Sequence, residues 1–129
     1  MFILGFFFSG SFHCDEAMAC WMLKQLPEFK DAAVVRTRDP EVISKADIVV
    51  DVGAVYNPDT HRYDHHQREF TDTFDAKHKI RLSSAGLIYK HFGRRVIKEL
   101  VPTENEATVE LVRPSIPIHN ILQAIGHAC

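Results

Sequence analysis

Three short apolar runs in the first half of the chain constrain its fold more than any other feature. They are "FILGFFF" (Phe2 to Phe8), "AAVVRTR" (Ala32 to Arg38) and "ADIVVDVG" (Ala46 to Gly53). β-Branched and aromatic residues dominate them, as in strands buried within a sheet. Between the first two lies "DEAMACWMLKQL", Asp15 to Leu26, with Ala17, Cys20, Trp21, Met22, Leu23 and Leu26 read as one broad apolar face. Its opening Asp15-Glu16 suits the positive end of a helix dipole, and Pro27 stops it. Pro40 to Lys45 fits a short helical turn. Strand, helix, strand, short helix, strand is the order of a parallel α/β sheet. Farther on, Ser83 to Leu100 repeats apolar residues at helical spacing, with Ser83 or Ser84 as N-cap.

A sheet of this kind gathers ligands beyond the carboxyl ends of its strands. Three polar clusters fall there. "GSFHCDE" follows the first strand, Asp51 ends the third, and "RYDHHQREF" follows the turn Asn57-Pro58-Asp59. His13 and Asp15, two apart, can converge on one side of an extended loop. Asp51 is a carboxylate on rigid scaffold. His65 and His66, read as a strand end, point to opposite sides, so one is expected to ligate a metal while the other faces substrate. Such an oxygen-rich, histidine-assisted set suits manganese or magnesium, and two such ions can position water and steady charge on a phosphoryl group. Arg36, Arg38, Arg62 and Arg68 are candidate phosphate contacts. Taken singly, each residue also has a plainer role. An Asp ending a strand forms turns, Cys14 packs as a small side chain, and His61, His78, His91, His119 and His127 are loop or surface histidines.

Composition bounds the reading further. At 129 residues, 46% hydrophobic and 25% charged, the chain has the size and make-up of one globular domain. A net charge of −2 gives no global basic field for nucleic acid. Three cysteines form no metal knuckle and no even disulfide set, which fits a reduced, intracellular setting. The N-terminal run has no Lys or Arg before it and falls short of the ~20 apolar residues that span a bilayer, so a buried strand is expected and no membrane partner. Residues 1–100 make the expected folded unit. Residues 101–129, broken by Pro102, Pro114 and Pro117 and without a persistent period, read as a loosely ordered, irregular tail.

The blocks "GSFHCDEAMAC", "VVRTRDPE", "ADIVVDVG", "HRYDHHQREF" and "LSSAGLIYKHFG" resemble the melanocyte proliferating gene 1 (MYG) exonuclease family of the DHH phosphoesterase superfamily. The likeness covers about residues 10–101. It implies a parallel-sheet, DHH-type α/β N-terminal domain, two manganese or magnesium ions, 3′-to-5′ exonuclease action on RNA, and a nuclear or mitochondrial setting. By the same resemblance His13, Asp15, Asp51 and His65 are metal ligands, Asp51 bridging. Asp64 supports, and His66 meets the scissile phosphate.

Two departures accompany the likeness. Phe8, which cannot ligate, stands where the family has a histidine. No aspartate follows Asp75, which leaves the family's fourth acidic motif without a match. The expectation is a truncated and impaired form, an isoform or a gene-model product. The alternatives are a phosphoesterase for small nucleotides or pyrophosphate, and a non-catalytic remnant that binds metal or a partner. In a truncated form, the apolar residues from Leu87 to Val96 are expected to be partly uncovered.

Overall fold

The computed structural model describes residues 13–101 and residue 107, and the backbone of residues 3–6. Phe8 and almost all of the C-terminal tail lie outside the described residues. Five strands form one sheet: β1 (Ile3–Phe6), β2 (Ala33–Arg36), β3 (Ile48–Val50), β4 (Tyr56–Asn57) and β5 (Arg62–Tyr63), in the order β2-β1-β3-β5-β4. Helices α1 (Cys14–Lys24), α2 (Pro40–Lys45) and α3 (Ser84–Leu100) complete it. β1 pairs parallel with β2 and β3, and β3 pairs parallel with β5. The all-parallel expectation needs one correction, because β4 runs antiparallel to β5. Asn57 makes the reversal: its side chain accepts from the Asp59 amide and caps a single 3-10 turn, Pro58–Thr60. Only four residues, 58–61, separate β4 from β5, which is too short for a parallel crossover.

Strand alternation divides the apolar side chains between two layers. Ile48, Val50 and Tyr63 point into the main core with α1 and α3. Val49 points the other way and packs with Ala46, Val52 and Ile43 beside α2. On α1 the buried positions are Asp15, Glu16, Ala19, Met22 and Leu23, followed by Leu26. Spacings of four, three and four residues from Asp15 give a stripe narrower than the sequence suggested. Ala17 and Trp21 face outward. On α3, Leu87, Ile88, Phe92 and Val96 are all buried against α1 and the sheet, so the uncovered patch expected there is not found.

The chain order places a switch in winding direction between β1 and β3. α1 joins β1 to the neighbour on one side, whereas α2 carries β2 over to β3 on the other. A crevice opens beyond the carboxyl ends of the strands at such a point. The start of α1 and the loop after β3 both meet there.

Candidate metal centre

Asp51 directly follows β3 and adopts a left-handed backbone conformation, φ 60°. Gly53 (φ 91°) and Ala54 (φ 53°) continue the same tight path. Left-handed Asp and Ala carry strain that surrounding contacts must hold. Those contacts are visible: the Asp51 amide donates to the Tyr63 carbonyl at 3.1 Å, and the Asp64 amide donates to the Val55 carbonyl at 3.0 Å. The Asp64 carboxylate then ties the two segments together. It accepts from the amides of Ala54 (2.6 Å), His65 (2.7 Å) and His66 (3.2 Å) and from His66 Nδ1 (2.6 Å), while only 2% exposed. Burial alone would raise its pKa; the hydrogen bonds from His66 and Ala54 outweigh that and hold it below the usual carboxylate range.

The same bonds decide where the two histidines go. Amides of successive residues converge on Asp64, so the backbone turns, and residues 64–66 are not strand. The expected opposite orientation of His65 and His66 is therefore corrected. Their rings lie 4.4 Å apart, and both approach Asp51. His65 Nε2 is 3.6 Å from Asp51 Oδ1 and 3.7 Å from Asp15 Oδ2. His66 Nδ1 is 3.8 Å from Asp51 Oδ1.

Asp15 comes from the first turn of α1, and its two oxygens accept from the amides of Ser84 (3.0 Å) and Ala85 (2.7 Å) at the start of α3. It thus serves the positive end of a helix other than its own. Ser84 also donates its hydroxyl to Asp51 at 2.9 Å. The "LSSAG" signal marks a helix start, and Ser83 does cap it through the Gly86 amide. Sequence reading did not show that Ser84 reaches two carboxylates, 69 and 33 residues away.

Electrostatics follow from this crowding. Burial, then the neighbouring Asp15, pushes Asp51 up to about 7. Burial holds His65 below the usual histidine range, despite Asp15 nearby. His66 is raised, first by its hydrogen bond to Asp64. Carboxylate and imidazole donors separated by 3.6–3.8 Å are too far apart for hydrogen bonds. Ligands that each lie about 2.1 Å from a shared cation stand roughly 3–4 Å from one another. Asp51, His65 and His66 place ligand atoms within 4.8 Å of one another, and the Asp15 carboxylate borders them. Two acids and two imidazoles fit a divalent cation.

The remaining predicted residues divide. His13 is the N-cap residue of α1 and is not among the three residues whose donor atoms meet. Arg36 is turned to a buried partner, its Nε 2.8 Å from Glu16 Oε1, because the last residue of β2 faces α1. Arg62 donates to the carbonyls of Thr60 and Ala46 and so ties β5 to the chain leading into β3. Arg68 is exposed on the turn after His66. Arg38 borders a cleft shared with Asp51, Asp64 and His66. His61 and His91 are exposed, yet each meets a tyrosine hydroxyl, Tyr63 at 3.3 Å and Tyr56 at 2.8 Å.

The profile of the MYG1 exonuclease family, described as "Uncharacterised protein family (UPF0160)", matches residues 6–124. The chain is similar to the MYG1 protein of Dictyostelium discoideum, 58% identical over 104 residues, which are 81% of this chain and 31% of that protein. It is 54% identical over 106 residues to the MYG1 exonuclease of Mus musculus, with 78% of this chain and 28% of that protein covered. Against the MYG1 exonuclease of Homo sapiens it is 54% identical over 103 residues, 76% of this chain and 27% of that protein. The chain therefore spans less than a third of the length of each of these relatives. No solved structure matches it. Among the described residues, no helix is long and apolar enough to cross a membrane.

Proposed function

Because the chain belongs to the MYG1 exonuclease family, we propose that Asp15, Asp51, His65 and His66 form the metal centre of a phosphodiester hydrolase. The activity we assign is 3′-to-5′ cleavage of RNA, with manganese or magnesium as cofactor and a nuclear or mitochondrial setting. The observation that carries this reading is the meeting of Asp15, Asp51 and His65 at 3.6–3.7 Å, with His66 beside them. Asp15, Asp51 and His65 would hold a divalent ion, and by the family resemblance Asp51 would also serve a second. When bound, such ions supply an activated water and Lewis-acid stabilisation of the phosphoryl oxygens.

The chain's own side chains set the rest. The Asp64 carboxylate orients His66 through Nδ1 and favours its protonated form, so the ring keeps a proton for a phosphate oxygen or a leaving alkoxide. Asp64 itself touches no reacting atom in this scheme and is a positioning residue. Ser84 and the start of α3 fix Asp15 and Asp51, which removes the cost of ordering them when the ion binds. Phe8, where the family resemblance places a histidine, offers no ligating atom, so we assign this 129-residue chain a lower rate than its longer relatives.

The test is 5′-labelled single-stranded RNA incubated with the purified chain and Mn²⁺. The reading expects slow, stepwise shortening from the 3′ end that stops on chelation and in His66→Ala. Hydrolysis of a dinucleotide without shortening of RNA would replace it with a small-nucleotide phosphoesterase. Mn²⁺ binding with no hydrolysis of either would leave a metal-binding remnant.

A further inference from the structure

Beside the proposed metal centre lies a cleft of about 600 Å³. One wall is Asp51, Asp64 and His66; the opposite wall is the start of α2, with Pro40 and Ile43; Val52 and Ala54 line the space between, and Arg38 borders it. The volume falls within the roughly 300–1,000 Å³ of small-molecule sites. Its chemistry is divided. The polar end is the carboxylate and imidazole wall, while most of the rest is carbon from Pro40, Ile43, Val52 and Ala54. The left-handed turn at Gly53 and Ala54 creates this shape, because it folds the loop after β3 back toward α2.

We propose that this cleft seats the nucleoside attached to the reacting phosphate. The inference rests on the metal-centre reading and deepens it by naming what the phosphate must carry. Bare phosphate or pyrophosphate would fill only the polar end and leave the Ile43 and Val52 wall wet. A nucleoside matches both parts: its base and ribose cover apolar surface, and its phosphate reaches His66. Arg38 adds a planar cation, which stacks on a base or pairs with a phosphate oxygen. The space suits one nucleotide, so the ligand class is a nucleoside monophosphate or the last nucleotide of a single strand.

Ser44 gives a clean way to block the cleft. It lines the space from the exposed side of α2 and donates only to the Glu41 carbonyl, at 2.8 Å, so a larger side chain there displaces no core residue. The full 129-residue chain is titrated first with Mn²⁺, then, Mn²⁺-loaded, with adenosine 5′-monophosphate and separately with inorganic phosphate. The wild type is expected to bind the nucleotide at least about tenfold more tightly than phosphate, the factor that modest apolar burial supplies. Ser44→Trp is expected to erase that preference while keeping Mn²⁺ and phosphate affinity; Ser44→Phe replaces it if the tryptophan variant does not fold. Equal affinity for the two anions in the wild type, or an unchanged preference in the blocked variants, overturns the nucleoside site and leaves the metal centre standing. Failure of the wild type to bind Mn²⁺ at all overturns the metal centre, and the site with it.

Discussion

Two Asp–His pairs in this molecule share one distance and similar local hydrogen bonds but differ in burial and in what stands beside them. His66 Nδ1 lies 2.6 Å from Asp64, and His78 Nδ1 lies 2.6 Å from Asp75. Both aspartates also accept backbone amides, and both are held below the usual carboxylate range. Yet Asp64 is buried at the carboxyl end of the sheet, whereas the Asp75 side chain is 46% exposed in a loop. Asp64 stands beside Asp51 and organises the loop that aims two imidazoles at it. Asp75 organises only its own turn. A short Asp–His contact therefore says little by itself; a third and fourth donor, brought from distant strands, make it a site.

The largest expected difference between the pairs is in stability. Asp64→Ala strands the Ala54 amide and leaves the left-handed turn unsupported, a loss of about 3 kcal/mol by the usual cost of breaking a buried charged network. Asp75→Ala should leave the chemical-denaturation midpoint unchanged. Equal midpoints for both variants would show that the Asp64 network does not hold the loop.

A second contrast lies in pH dependence. Asp51 is pushed up to about 7 from its ordinary 3.8, so between those values the folded chain keeps a proton that the unfolded chain has released. Its contribution therefore falls as pH rises from about 4 to about 7. Asp51→Asn removes that slope and makes the metal-free chain more stable at pH 7.5, on the order of 1–2 kcal/mol. It loses metal binding at the same time, since an amide is a poor substitute for a shared carboxylate. Denaturation curves at pH 5 and 7.5 check this; a wild-type stability that climbs between them, with the same climb in Asp51→Asn, contradicts it.

A smaller effect is expected at Ser84. Its hydroxyl donates to Asp51 and lowers that group's pKa against the larger upward push of burial. Ser84→Ala should cost about 1 kcal/mol and move the pH at which stability falls still higher. A shift to lower pH would mean that the hydroxyl does not serve Asp51.

Much of this was legible in the residues. β-Branched runs gave the strands, Pro40 and Ser83 gave helix starts, and the carboxyl ends of the strands located the cluster. Local chemistry explains why these could be read: propensity, caps and alternation act within a few residues. What escaped is non-local. The paired orientation of His65 and His66 depends on amides folding around Asp64, a turn that a strand reading of "RYDHH" cannot anticipate. Arg36 looks like a phosphate contact until the strand register points it at buried Glu16 on α1. The Ser84 contacts join residues 33 and 69 positions apart, and no periodicity reports such a meeting.

The central claim is that Asp15, Asp51 and His65, with His66 beside them, take a divalent cation, and calorimetric titration with Mn²⁺ addresses it most directly. The account predicts saturable binding by the wild type, an affinity loss of about a hundredfold in His65→Ala, and no change in His78→Ala. No binding by the wild type, or binding that survives His65→Ala but is lost in His78→Ala, would contradict it.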